Sequence, residues 1–226
     1  MNYFDEGKHA EDYIHMSRKY DGHDLIPPLQ AHLAEGSSLL ELGMGPGKDL
    51  DLLSQYYTAT GSDSAQTFLD IYRENHPHAD VLLLDAVTLE TKRRFDCIYS
   101  NKVLMHLTRN ELERSFRRQA DILNPGGIAF HTFWHGDKEE IFDGLRFIFY
   151  QPENLNPLIG PKFSVIDTQI YKESAKDDSF YIILKKKISG IPTSAYSALF
   201  VVNFLILITR LINQAFYVSL VVEIQM

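Results

Sequence analysis

The segment Leu39-Leu40-Glu41-Leu42-Gly43-Met44-Gly45-Pro46-Gly47-Lys48-Asp49 constrains this chain more than any other. An apolar run passes directly into three glycines at alternate positions, and then into a stretch whose Leu50 and Leu53 have helical spacing. Glycine is needed where backbone turns sharply or lies against a ligand with no Cβ in the way, and the helix that follows offers free N–H groups. A strand, a glycine turn and a helix in that order belong at the carboxyl end of a parallel sheet, where a crevice forms.

The rest of the first 187 residues supports such a sheet. Apolar runs at 38–44, 57–63, 80–85, 95–101, 128–134, 163–171 and 179–185 alternate with helical patterns. Val81-Leu82-Leu83-Leu84 reads as a strand buried on both faces. A helix over 25–34 has Pro27 and Pro28 near its start, Ile26, Leu29 and Leu33 on one stripe, and Gly36 just past its end. Thr108 and Glu111 form a capping box for a helix that buries Leu112, Phe116 and Leu123 and stops at Asn124-Pro125-Gly126-Gly127. A further helix over 10–19 precedes the first strand. Only the polar stretch 172–178 separates the last two strands, which predicts an antiparallel hairpin at one sheet edge. The expected fold is α/β: seven strands, mostly parallel, with an antiparallel C-terminal edge hairpin and helices on both faces.

Charge narrows the partners. The 226 residues carry 22 Lys+Arg against 30 Asp+Glu, a formal net charge of −8. A phosphate-backbone binder needs a basic surplus, so nucleic acid is excluded as the main partner and a small molecule is favoured. The lone Cys97 rules out an internal disulfide and a multi-thiolate zinc site, and reads as a small core residue. No metal is expected.

Carboxylates sit where the crevice needs them. Asp63 closes the 57–63 strand, twenty residues after Gly43, where a carboxylate can accept both hydroxyls of a ribose. Asp85 ends the next strand, where it can accept from the exocyclic amine of a purine. Each alone would pass for a turn or cap residue; together, after the glycine turn, they outline a nucleoside site. The spacing G-x-G-x-G differs from the dinucleotide pattern G-x-G-x-x-G, which would need a glycine where Lys48 stands.

These residues resemble the class I S-adenosylmethionine-dependent methyltransferases, over about residues 10–187. Glu41 to Gly47 is similar to the family's first motif, Asp63 with Ser64 to its ribose-binding acid, and Asp85-Ala86 to its adenine-contacting pair. Phe95 to Asn101 is similar to the fourth-strand motif, and Leu123 to Gly127 to the turn before the fifth strand. The resemblance implies a Rossmann-like sheet, S-adenosyl-L-methionine as cofactor, and in-line methyl transfer to a small-molecule acceptor. It further implies that Gly43, Gly45 and Gly47 pack on the cofactor's methionine part, that Glu41 holds that loop and the amino group, and that Asn101 meets the same part. Two readings stand beside it: a nicotinamide-dependent oxidoreductase on a similar sheet, against which the glycine spacing argues, and a non-catalytic S-adenosylmethionine-binding module.

A base is needed only where the acceptor must lose a proton. His106 follows the fourth strand and His135 the fifth, and histidine suits proton abstraction near neutral pH. They are the catalytic candidates; the competing reading for each is a hydrogen-bonded structural residue. His131 and His135 have metal-like spacing, but no third ligand is marked out. Tyr13, with Arg18 and Tyr20, is a candidate lid over the cofactor from residues 1–36. Trp134, Arg146, Phe149 and Tyr150 are expected at the rim of an acceptor pocket.

Residues 188–226 differ from the rest: Arg210 and Glu223 are their only charges, so the whole −8 belongs to residues 1–187. Three readings are open for this greasy tail: a C-terminal membrane anchor with Arg210 snorkelling, a self-association surface, and an extension foreign to the domain. The acidic residues and missing apolar run of 1–12 argue against a secretory signal, so a cytoplasmic location is expected, with or without membrane association through the tail.

Overall fold

A computed structural model describes residues 4, 7–18 and 21–188 of the chain. The tail readings therefore lie outside the described residues, as does Tyr20; among the described residues no helix is long and apolar enough to cross a membrane.

Seven strands form one sheet: β1 (Ser38–Leu42), β2 (Thr58–Asp63), β3 (Val81–Leu83), β4 (Phe95–Asn101), β5 (Leu123–Trp134), β8 (Phe163–Tyr171) and β9 (Ser179–Lys186). Their order is β3-β2-β1-β4-β5-β9-β8. The first five are parallel, whereas β9 runs antiparallel to both β5 and β8. After β3 the chain crosses back to lay β4 on the other side of β1, and that reversal opens a crevice at the carboxyl ends of β1 and β4.

Strand periodicity gives the sheet two buried faces. Leu39, Cys97, Ile128, Phe130 and Ile183 face one layer, where Leu29 of helix α2 (Ile26–Gln30) and Leu53 of helix α3 (Lys48–Leu53) meet them. Their neighbours Leu40, Ile98, Ala129, Ile182 and Leu184 face the other, against Leu112 and Phe116 of helix α5 (Arg109–Ile122). The Thr108–Glu111 capping box opens α5 as expected. Helix α1 (Gly7–Ser17) and helix α4 (Gln66–Asn75) meet at the carboxyl end of β2, where Phe4, Tyr13 and Phe68 cluster with ring centroids 5.3–5.7 Å apart.

Several local expectations are corrected. The 25–34 helix shrinks to a 3-10 turn, His23–Leu25, followed by α2. His32 N–H bonds Leu29 C=O at 3.0 Å, a contact of the tighter 3-10 kind that ends the helix. Strand β3 loses its ends because Asp80 turns to Arg93 and Thr60, while the Asp85 carboxylate accepts from Val87 and Thr88 N–H, closing a turn. Strand β5 starts at Leu123, immediately after α5. The Asn124–Gly127 stretch forms a register shift within it, held by Asn124 Nδ2 donating to Asp96 at 2.7 Å. Between β5 and β8 comes an unexpected hairpin, β6 (Glu139–Phe142) and β7 (Leu145–Ile148), followed by a short helix α6 (Asn156–Ile159). Its turn is Asp143-Gly144, both at positive φ (49° and 79°), the two-residue loop whose twist suits paired strands.

Candidate active site

The glycine turn takes its shape from what presses on it. Gly43, Gly45 and Gly47 all have positive φ. A Cβ on Gly43 would stand 2.6 Å from Val103, and one on Gly47 2.3 Å from the ring of Tyr72, so neither position has room for another residue. Gly45 N–H donates to Asp63 Oδ2 at 2.9 Å, and Ala65 N–H to Oδ1 at 2.9 Å, which ties the end of β2 to the turn. Asp63 is buried at this junction, close enough to Tyr13 that its charge, after burial itself, helps push the phenol up to about 12.

The turn borders a cavity of about 660 Å³ over the carboxyl ends of β1, β4 and β5. Glu41, Gly43, Asn101, Tyr13 and His106 of the sequence candidates line it. Glu41 is 3% exposed and its Oε2 has no hydrogen-bond partner. Burial, with Asp49, Asp63 and Asp51 nearby, holds its carboxyl well above the usual range. A buried acceptor left open in a cavity suits a ligand that brings a cationic donor, and the ammonium of S-adenosylmethionine is such a group.

Sequence reasoning missed Asp49. In the first turn of α3, its buried carboxylate accepts from Gly22 N–H at 2.6 Å, Tyr99 O–H at 2.9 Å and Asn101 Nδ2 at 3.0 Å. Asn101 Oδ1 in turn accepts from Thr132 Oγ1 at 2.6 Å, so both ends of this amide serve the protein and the side chain is locked. An acid in the first turn after a glycine loop was the available signal.

Lys102 also went unnoticed. It has φ of 56° without being glycine, at the end of β4. Its Nζ donates to Phe133 C=O (3.2 Å) and Ser179 Oγ (2.7 Å), pairs with Glu173 (2.9 Å), and lies 3.9 Å from the ring centre of Trp134 and 5.6 Å from that of Tyr171. Burial lowers its pKa, opposed by Glu173. One lysine thus pins the β8–β9 turn, whose Lys172, Glu173 and Ser174 line the cavity, to the end of β4.

The two histidine candidates separate. His106 Nδ1 donates to Arg146 C=O at 2.6 Å and its ring meets Phe147 edge-on at 4.8 Å. That bond puts the proton on Nδ1 and leaves the lone pair on Nε2, while burial lowers the pKa below its ordinary 6.5 despite the carbonyl. His135 does not line the cavity, and Asp177 C=O and Gln151 Oε1, each at 2.8 Å, engage both ring nitrogens. His131 is a core residue between Ser100 and Gln119, its pKa pushed by burial down to about 3.

Other candidates fall beside the cavity. Gly45, Gly47, Asp63, Ser64, Asp85 and Ala86 are absent from its lining. Gly45 and Asp63 are bonded to each other, Ser64 is exposed on the turn after β2, Asp85 caps its own turn, and Ala86 C=O accepts from Ser115 at 2.6 Å. Of the expected acceptor rim, Trp134 lines the cavity. Arg146 pairs with Glu139 and Phe149 stacks behind Trp134, while Tyr150 is buried in the core; Leu145 and Phe147 of β7 line the wall instead.

Residues 39–127 match the family described as a methyltransferase domain. The chain is 33% identical over 104 residues to a trans-aconitate 2-methyltransferase of Delftia acidovorans, a match covering 42% of this chain and 37% of that protein. It therefore spans about a third of the length of the curated relatives it matches. Its fold is similar to that of an S-adenosylmethionine-dependent methyltransferase from Clostridium acetobutylicum, with TM-score 0.63 and 13% identity over 80% of this chain and 98% of the other. It is also similar to an N-methyltransferase from Bradyrhizobium japonicum in complex with S-adenosyl-L-homocysteine, with TM-score 0.56 and 16% identity over 71% and 84% of the two chains.

Proposed function

We propose that the chain is a class I S-adenosylmethionine-dependent methyltransferase whose cavity takes S-adenosylmethionine against the glycine turn and transfers the methyl group to a small molecule. The cofactor supplies an electrophilic methyl on a sulfonium. What the protein contributes is position, exclusion of water and, for an acceptor that must lose a proton, a base. The observation that carries this reading is Glu41, whose buried and unpartnered Oε2 is the acceptor an incoming ammonium would fill.

In this reading Gly43 and Gly45 let the backbone lie against the cofactor, and Asp63 exchanges part of its present bonding for the ribose hydroxyls. Asp85 and Ala86 flank the adenine from the turn after β3, and Ser64 extends the Asp63 edge. Asn101, its side chain locked by Asp49 and Thr132, offers its backbone to the amino acid portion. Tyr13 covers the site from α1. His106, carrying its proton on Nδ1, is the base on the acceptor side, and His135 takes a structural role. Partners are a small-molecule acceptor and no nucleic acid, in keeping with the net charge of −8.

Calorimetric titration of the full chain with S-adenosylhomocysteine and, separately, NAD tests the assignment. Binding of the sulfur nucleoside without NAD is expected; the reverse would overturn it in favour of a nicotinamide-dependent enzyme.

A further inference from the structure

Resting on the methyl-transfer reading, we propose that the acceptor is an uncharged aromatic compound whose ring hydroxyl is methylated, seated among Trp134, Phe147 and Tyr171 with that hydroxyl toward His106. The three rings come from the end of β5, from β7 and from the end of β8, and all line the cavity together with Met105. Flat aromatic walls with a polarizable methionine suit a flat aromatic guest.

Charge selects further. An amine acceptor enters as an ammonium, but the aromatic faces that would attract it already hold one: Lys102 Nζ is 3.9 Å from the Trp134 ring centre, and Glu173 at 2.9 Å is neutralised by it. The donor's sulfonium would add a second like charge to the same cavity, and the lining carboxylates of Asp21 and Asp24 are exposed, where solvent screens their pull on a cation. A polycarboxylate needs several donors facing it. All the Lys102 donors are spent, Lys48 Nζ donates to Ser17 C=O at 2.8 Å, no arginine is among the lining residues, and Lys172 stands on an exposed turn where solvent screens it. What remains is a neutral guest.

The base defines the reacting group. A carboxylate attacks without losing a proton, whereas a phenol does not. With the proton fixed on Nδ1 by Arg146 C=O, Nε2 of His106 carries a lone pair, and no hydrogen bond to it is found among the described residues. In the transfer the hydroxyl oxygen's lone pair forms the bond to the methyl carbon, and the carbon–sulfur bond breaks with its electron pair staying on sulfur. The hydroxyl proton passes to Nε2 and then to solvent. Products are an aryl methyl ether, the neutral thioether and one proton.

Trp134 is the single tryptophan of the chain, so intrinsic fluorescence reports on this wall. The full chain, saturated with S-adenosylhomocysteine, is titrated with 4-methoxyphenol, benzylamine and trans-aconitate. Saturable quenching by the phenol is expected, with an affinity about tenfold or more above the other two. With labelled S-adenosylmethionine, the label is expected on the phenol oxygen. His106→Gln should leave the fluorescence titration in place and lower transfer by about 10²–10⁴-fold. Tighter binding of the amine or the tricarboxylate, or no quenching by the phenol while S-adenosylhomocysteine binds, overturns the aromatic acceptor and leaves the methyltransferase reading standing. Failure of S-adenosylhomocysteine itself to bind removes the reading beneath.

Discussion

At the scale of single residues, Glu41 makes the sharpest demand. Its raised pKa means that the free protein keeps a proton on it above pH 4.5, and an ammonium ligand must displace that proton. Affinity for S-adenosylhomocysteine should therefore rise with pH from 4.5 up through the raised value, by at most about tenfold per unit, with proton release visible as a buffer-dependent binding enthalpy. Glu41→Gln should flatten that dependence and weaken binding by about 1–3 kcal/mol. The same shift acts on stability in the opposite sense. The unliganded fold gains from Glu41 below pH 4.5 and loses that gain as pH rises through the folded value, so the variant should lose less thermal stability on going to neutral pH. His106 follows another sign: its pKa is lowered, and in its proposed role as base transfer should fall only as pH drops through a value below 6.5. Asp63→Asn should weaken S-adenosylhomocysteine binding by about 1–3 kcal/mol, and unchanged affinity in a folded variant would remove Asp63 from the site.

At the scale of elements, two devices shape the cavity. The first is the Asp49 clasp, which holds the Gly22 segment, β4 through Tyr99, and Asn101. Asp49→Ala strands three donors and should cost about 3 kcal/mol or more in denaturant unfolding, at about 1–3 kcal/mol for each buried group left unsatisfied. The second is the β6–β7 hairpin, which presents Phe147 and fixes the His106 tautomer through Arg146 C=O. Gly144 has φ of 79°, so Gly144→Val should cost about 1–2 kcal/mol locally. Hydrogen exchange is expected to quicken over 139–148 while S-adenosylhomocysteine affinity stays unchanged. The Asp143-Gly144 pair between Ile141-Phe142 and Leu145-Arg146-Phe147 is a hairpin signal carried by the sequence itself. The α5 capping box, by contrast, was readable in full because its two residues stand three apart.

At the scale of the whole molecule, the sheet is the scaffold and Cys97 is its natural probe. It lies fully buried in β4, at the centre of one core layer, and burial pushes its thiol pKa up. A thiol reagent should leave the native protein unmodified and react only through global opening, at a rate that falls in step with measured stability. Fast reaction of the folded chain would mean that this layer opens on its own. The order of strands and the reversal beside β1 place the ends of β1, β4 and β5 around one cavity, and this brings together the residues that line it.

The sequence by itself determined what depends on neighbours along the chain: seven alternating strands, a glycine turn, acids at strand ends, a capped helix and an edge hairpin. Period and turn chemistry are local, so they can be read locally. Which candidates share a cavity was decided only by tertiary structure. His106 and His135 look alike in sequence, each just past a strand, yet one lines the cavity and the other is bound between Asp177 and Gln151. Asp49 meets donors 27 to 52 residues away, and Lys102 meets Ser179 across 77, so neither role has a signature in its own surroundings. A side chain's chemistry is set by its acceptors, its donors and its burial, and the chain supplies those from distant segments only once the sheet has closed.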